Sequence, residues 1–118
     1  MKILVVDDDL ELCTMLSRFF EKHGMVVHSA GDALQALDVL GREDIDLVIT
    51  DLMMPYMDGL QFVELLKKDE RHRNVPVIIL TAYPSAEVVD QGLRKGAAFA
   101  LPKPIDFDRL LNIVRFAE

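Results

Sequence analysis

Apolar residues follow two alternating rhythms along this chain. Short continuous runs at Ile3–Val6, Met25–His28, Leu47–Thr50, Val75–Leu80 and Ala98–Leu101 are too brief for helices and are flanked by turn or cap residues, so they read as strands. Between them lie segments with helical spacing: Leu12, Leu16, Phe19 and Phe20; the stretch from Ala33 to Leu40; Phe62, Val63 and Leu66; Val89 and Leu93; and Phe107, Leu110, Leu111 and Val114. Gly24 and Gly96 stand where the first and fourth helices should stop. Asp9, Ser85 and Asp106 stand where the first, fourth and fifth should be N-capped, and Pro55, Asp58 and Gly59 read as a turn leading into the third.

Strict alternation of strand and helix implies right-handed crossovers and a parallel sheet covered on both faces, which is why the strands are continuously apolar. The expected fold is α/β: a flavodoxin-like, doubly wound, five-stranded parallel sheet of order 2-1-3-4-5 with five helices, one domain over residues 1–118. Ligands in such a sheet sit at the carboxyl ends of the strands. There the sequence has Asp7-Asp8-Asp9 after the first strand, Asp51 after the third, Thr81 after the fourth and Lys103 after the fifth.

The strand order makes these groups neighbours. A pair of carboxylates about 4 Å apart repels by on the order of 4 kcal/mol at an effective dielectric near 20, and the single charge of Lys103 cannot balance Asp7, Asp8 and Asp51 together. A divalent cation is the natural complement, and an oxygen-only ligand set favours Mg²⁺ or Mn²⁺ over zinc. His23, His28 and His72 lie away from the strand ends and are given no metal role. A carboxylate beside such a cation, a lysine and a threonine hydroxyl has what phosphoryl transfer requires. Asp51 would be the nucleophile, Lys103 a stabiliser of the transferring group, Thr81 a hydrogen-bond donor to a phosphoryl oxygen, and Ala82 a small neighbour that leaves the approach open. An aspartate before a loop containing Pro and Gly is ordinarily only a turn former; the company at the other strand ends is what singles Asp51 out.

Composition narrows the setting. With 118 residues, 51% hydrophobic and 28% charged, the chain has the makeup of one compact domain. Its formal charge of −7 opposes non-specific attraction to nucleic acid or acidic membranes and favours a protein or small-ligand partner. The lone Cys13, among helical apolar positions, reads as core and suggests a reducing compartment. The apolar run before Asp7 is too short for a signal peptide or a membrane span, and a cytoplasmic protein is expected.

Four strings, "LVVDDD", "TDLMMPYMDG", "ILTA" and "LPKPI", resemble in order and spacing the receiver domain of bacterial two-component response regulators, a family that includes the chemotaxis response regulator. The resemblance implies that Asp51 accepts phosphate from a sensor histidine kinase or a phosphotransfer protein. It implies that Asp7 and Asp8 hold Mg²⁺ with Asp51, the backbone carbonyl of Met53 completing the protein ligands, and that Thr81 is the switch hydroxyl and Lys103 the phosphate-contacting lysine. Output would pass through the surface of the fourth helix, fifth strand and fifth helix to an effector domain, a downstream protein or a second copy of the chain; Leu110, Ile113 and Ala117 give the fifth helix apolar area there, the alternative being that they form a fully buried helix edge.

Two departures and three rival readings accompany it. The family commonly has an aromatic residue three positions before the lysine; this chain has Ala100, and Phe99 points to the opposite face of its strand, leaving Tyr83 as a candidate replacement. Met53 and Tyr83, two residues after Asp51 and Thr81, are large and poor at orienting water, so slow self-dephosphorylation is expected. The rivals are a haloacid-dehalogenase-type phosphatase using Asp7 and Asp9, an FMN-binding module, and a receiver-like protein-binding module that is never phosphorylated.

Overall fold

The computed structural model describes residues 1–118. Five parallel strands, β1 (Lys2–Val6), β2 (Val26–Ala30), β3 (Leu47–Asp51), β4 (Val77–Thr81) and β5 (Phe99–Pro102), alternate with α1 (Leu10–Glu21), α2 (Ala33–Arg42), α3 (Gly59–Lys68), α4 (Ala86–Lys95) and α5 (Phe107–Phe116). The sheet order is β2-β1-β3-β4-β5, the flavodoxin-like arrangement that the alternation predicts.

Both faces of the sheet are buried, and the two-residue strand period divides them cleanly. Ile3, Val5, Leu47, Ile49, Ile78 and Leu80 pack with Cys13, Leu16, Phe20, Leu110 and Val114 of α1 and α5. The alternate residues Leu4, Val6, Val48, Val77 and Ile79 pack with Ala36, Val39 and Leu40 of α2 and with Phe62, Val63 and Leu66 of α3. Two cores therefore share one sheet, and its carboxyl edge is held from both sides.

Caps form where the sequence puts cap residues. Asp9, Asp32, Asp58, Ser85 and Asp106 each accept a backbone N–H from the first turn of α1, α2, α3, α4 and α5 respectively. At α3 the Gln61 side chain also accepts the Asp58 N–H, closing a capping box. Gly96 ends α4 with φ +115°, a left-handed conformation that glycine adopts without strain.

Element boundaries moved where backbone pairing outweighs hydrophobicity. β2 runs on to Ala30, which pairs with Val6 at the end of β1. β4 begins at Val77 and not Val75, because Val75 N–H closes a turn onto the His72 carbonyl and Pro76 has no N–H to give a ladder. The apolar surface expected on α5 is smaller than the sequence suggests. Leu110 is fully buried and Ile113 is half-buried against the core, so Ala117 and the unforeseen Phe116 are what that end exposes. No helix is long and apolar enough to cross a membrane.

Candidate functional site

Asp7 follows β1 directly, and its N–H donates to the Ala30 carbonyl at 3.0 Å, so the β1–β2 ladder fixes its backbone. Asp51 is the last residue of β3; the next N–H, of Leu52, donates to the Leu80 carbonyl of β4 at 3.1 Å. Lys103 is set by its own N–H, which donates to the Thr81 carbonyl at 2.8 Å. Each of these backbones is thus fixed to a neighbouring strand, and the pairing of β1 with β3, β3 with β4 and β4 with β5 brings the side chains together.

Lys103 Nζ donates to Asp7 Oδ2 at 2.8 Å and lies 3.3 Å from Asp51 Oδ1. Asp7 Oδ1 accepts the Asp9 N–H at 2.9 Å, and Asp51 Oδ1 accepts the Leu52 N–H at 2.9 Å. Carboxylate oxygens of Asp7, Asp8 and Asp51 all lie within 4.8 Å of one another. Asp7 and Asp51 are buried and Asp8 is exposed, so the cluster opens to solvent on one side.

Burial, and after it the charge of Asp7, pushes the Asp51 carboxyl above its ordinary range; Lys103 and the Leu52 amide oppose this without cancelling it. Burial pulls Lys103 downward, but its hydrogen bond to Asp7 and the charge of Asp51 outweigh that and leave it raised. The pocket is short of positive charge by its own chemistry. Its donors are hard oxygens with no histidine or thiolate among them, and this set fits Mg²⁺ or Mn²⁺.

Thr81 ends β4 beside Asp51, whose register partner is Leu80. Its hydroxyl is buried and accepts the Tyr83 N–H at 3.1 Å, which leaves the hydroxyl proton free to be donated. Ala82, Met53 and Tyr83 are exposed around the pocket. Asp9 is not part of the cluster: its Oδ1 accepts the Leu12 N–H and caps α1, which takes from the phosphatase reading its second acid. Ala100 packs into the α2–α3 core while Phe99 faces solvent, opposite sides as expected.

Three contributors escaped the sequence. Cys13 is core, but its thiol also donates to the Asp7 carbonyl at 3.4 Å, and burial, reinforced by Asp7 and Asp9, raises its pKa to about 11. Thr50 donates from its hydroxyl to the Asp51 carbonyl at 3.0 Å. Gly59 packs directly on the backbone of Asp51. The first two act through backbone atoms, which leave no mark in a pattern of side chains; Gly59 had a signal, a glycine right after a cap residue.

A family model described as the response regulator receiver domain matches residues 3–115. Sporulation initiation phosphotransferase F of Bacillus subtilis is 35% identical over 114 residues, which cover 97% of this chain and 90% of that protein. The transcriptional regulatory protein ZraR of Klebsiella oxytoca is 40% identical over 108 residues, 92% of this chain but 24% of that protein, so the chain spans about a quarter of that relative's length. Among solved structures, the chemotaxis response regulator CheY4 of Vibrio cholerae superposes with a TM-score of 0.92 at 30% identity, covering 99% of this chain and 98% of that one. With fold, strand-end chemistry and family model in agreement, the chain belongs to the response regulator receiver domains, the phosphorylation-dependent signalling switches of two-component systems.

Proposed function

We propose that Asp51 is the phospho-acceptor of this switch, with Lys103 and Thr81 as its partners in the transfer and Asp7, Asp8, Asp51 and the Met53 carbonyl as ligands of Mg²⁺, or of Mn²⁺ in its place. The observation that carries the reading is one ammonium shared between the acid that follows β1 and the acid that ends β3, with a third carboxylate within 4.8 Å. When bound, the cation supplies positive charge against the oxygens of the incoming phosphoryl group.

The donor is a phosphohistidine on a sensor kinase or a phosphotransfer protein. Asp51 Oδ1 is already occupied by Leu52 and Lys103, whereas Oδ2 accepts no hydrogen bond from the chain and is the oxygen that attacks phosphorus. The O–P bond forms as the histidine N–P bond breaks, and the imidazole keeps the electron pair and takes up a proton. Lys103 neutralises the charge that the product places beside Asp7. Ala82 leaves the approach open, and Thr81 turns its free proton to a phosphoryl oxygen. Such a charge-assisted bond is worth about 1.5–3 kcal/mol, enough to move a two-state equilibrium roughly ten- to a hundredfold. Thr81 is followed directly by the loop into α4, so the α4–β5–α5 surface is where an effector domain, a downstream protein or a second copy would read the change. The setting is the cytoplasm, which suits a lone buried thiol.

Incubation with labelled acetyl phosphate and Mg²⁺ tests this. The expected result is stable label on one aspartate per chain, absent from Asp51→Asn. Turnover without retained label would favour a phosphatase, and no uptake would leave a protein-binding module. Release of phosphate should be slow, because Met53 and Tyr83, 66% and 78% exposed, are large side chains that orient water poorly. Met53→Asn with Tyr83→Glu should speed phosphate loss by up to roughly a hundredfold, the low end of what one positioned acid–base group contributes; an unchanged half-life would remove these residues from the account.

A further inference from the structure

Gly59 opens α3 against the main chain of the acceptor. A Cβ added there would lie 2.6 Å from the Asp51 carbonyl oxygen, 2.8 Å from Leu52 Cα and 3.3 Å from the Asp51 carbonyl carbon. These are backbone atoms at the end of a central strand, and no rotamer change moves them aside. Gly92 makes a useful contrast, since its nearest neighbour, at 2.9 Å, is the flexible tip of Ile79. Backbone conformation does not demand glycine at position 59 either: only Gly24 and Gly96 among the glycines have positive φ. Contact is the remaining reason for a glycine there.

We propose that Gly59 is a positioning residue for phosphoryl uptake, one whose missing side chain lets α3 rest on the Asp51–Leu52 peptide and thereby sets the direction of the Asp51 carboxylate. The inference rests on Asp51 being the acceptor. The linkage is continuous: Gly59 N–H donates to the Leu52 carbonyl at 2.8 Å, and Leu52 N–H donates to Asp51 Oδ1 at 2.9 Å and to the Leu80 carbonyl at 3.1 Å. The Thr50 hydroxyl also donates to the Asp51 carbonyl, at 3.0 Å. A methyl group at position 59 must displace either α3 or this peptide. The helix is anchored by the buried Phe62, Val63 and Leu66 and by its capping box, so the peptide yields, and Leu52 N–H leaves Oδ1. The carboxylate then swings relative to Lys103 and Asp7, and a displacement of about 1 Å is enough to slow a positioned reaction roughly a hundredfold.

The test compares wild type, Gly59→Ala and a control, Gly41→Ala in α2, where an added Cβ meets nothing within 4 Å. Initial rates of Mg²⁺-dependent phosphorylation are measured over a range of acetyl phosphate concentrations, and the Leu52 amide is followed by NMR in metal-free protein. Gly59→Ala should lower the maximal rate by roughly tenfold or more with the half-saturating concentration unchanged. Its Leu52 amide should shift and exchange faster while α2 amides stay put, and Gly41→Ala should match wild type in both. A wild-type maximal rate together with a wild-type Leu52 amide in Gly59→Ala would overturn the proposal. If Gly59→Ala fails to fold, Thr50→Val takes its place, keeping the side-chain volume and removing the other hold on the peptide; an unaltered maximal rate there overturns it equally. A wild type that takes up no phosphoryl group counts against Asp51 as acceptor, and the Leu52 amide then decides the positioning alone.

Discussion

Lys103 is shared between Asp7 at 2.8 Å and Asp51 at 3.3 Å, and one positive charge set against these and Asp8 leaves the pocket net negative. Asp51 bears the consequence, its carboxyl held above the ordinary range first by burial and then by the charge of Asp7. A carboxyl raised in the fold binds its proton more tightly there than in the unfolded chain. Its contribution to stability is therefore greatest in acid and is lost as pH rises through the folded pKa. In a chelating buffer, Asp51→Asn should be more stable than wild type at neutral pH, and the gap should close as pH falls through the raised folded pKa toward the ordinary carboxylate range. Melting temperatures of the two proteins across that range check the sign: a gap that widens toward acid would mean that Asp51 is stabilised, not strained, by its surroundings. Cys13 meets the opposite fate to a reactive thiol, since a pKa of about 11 keeps it protonated at neutral pH.

Among the helices, α4 is held differently from its neighbours. The only residue it buries is Gly92, whereas α3 buries Phe62, Val63 and Leu66 as well as Gly59. Its firm ties lie at the carboxyl end, where Lys95 Nζ meets Glu64 of α3 at 3.1 Å and Gly96 sits against the Lys67 side chain. Its amino end, which continues from Thr81, has the Ser85 cap and two half-buried valines, Val88 and Val89. Amides in the first half of α4 should therefore exchange with solvent markedly faster than those of α3, by tenfold or more for each roughly 1.4 kcal/mol of weaker anchoring. Equal protection in the two helices would show that α4 is not the loose element. The sequence made the helices legible through their caps, because Asp9, Ser85 and Asp106 each do there what a short acceptor side chain before an apolar run does. It could not show how tightly each is held: Leu110 and Ile113 suited an apolar surface as well as a buried helix edge, and they pack with the α1–α5 core, Leu110 fully buried.

At the scale of the whole molecule, the site is the carboxyl edge of one sheet gripped between two cores, and anything that relieves its charge acts on the entire fold. Asp7, Asp8, Asp51, Thr81 and Lys103 could be read from the sequence because strand order alone makes strand ends neighbours. The Leu52 amide and the Thr50 hydroxyl could not, because they concern a peptide plane and not a pattern of side chains, and the Gly59 contact left only the trace of a glycine after a cap residue. Since the folded state alone assembles Asp7, Asp8 and Asp51 within 4.8 Å, a divalent cation that binds there must stabilise folding by mass action, about 2.7 kcal/mol at a free concentration one hundred times its dissociation constant. A chain of formal charge −7 also gains from simple screening, so the comparison has to be made at fixed ionic strength with a monovalent salt. Under that condition Mg²⁺ should raise the wild-type melting temperature and a chelator should reverse the rise. Asp8→Asn, which removes the exposed member of the cluster and leaves the buried Lys103 pairs intact, should lose most of the effect. A melting temperature that responds equally in wild type and Asp8→Asn would assign the stabilisation to diffuse charge instead of the pocket.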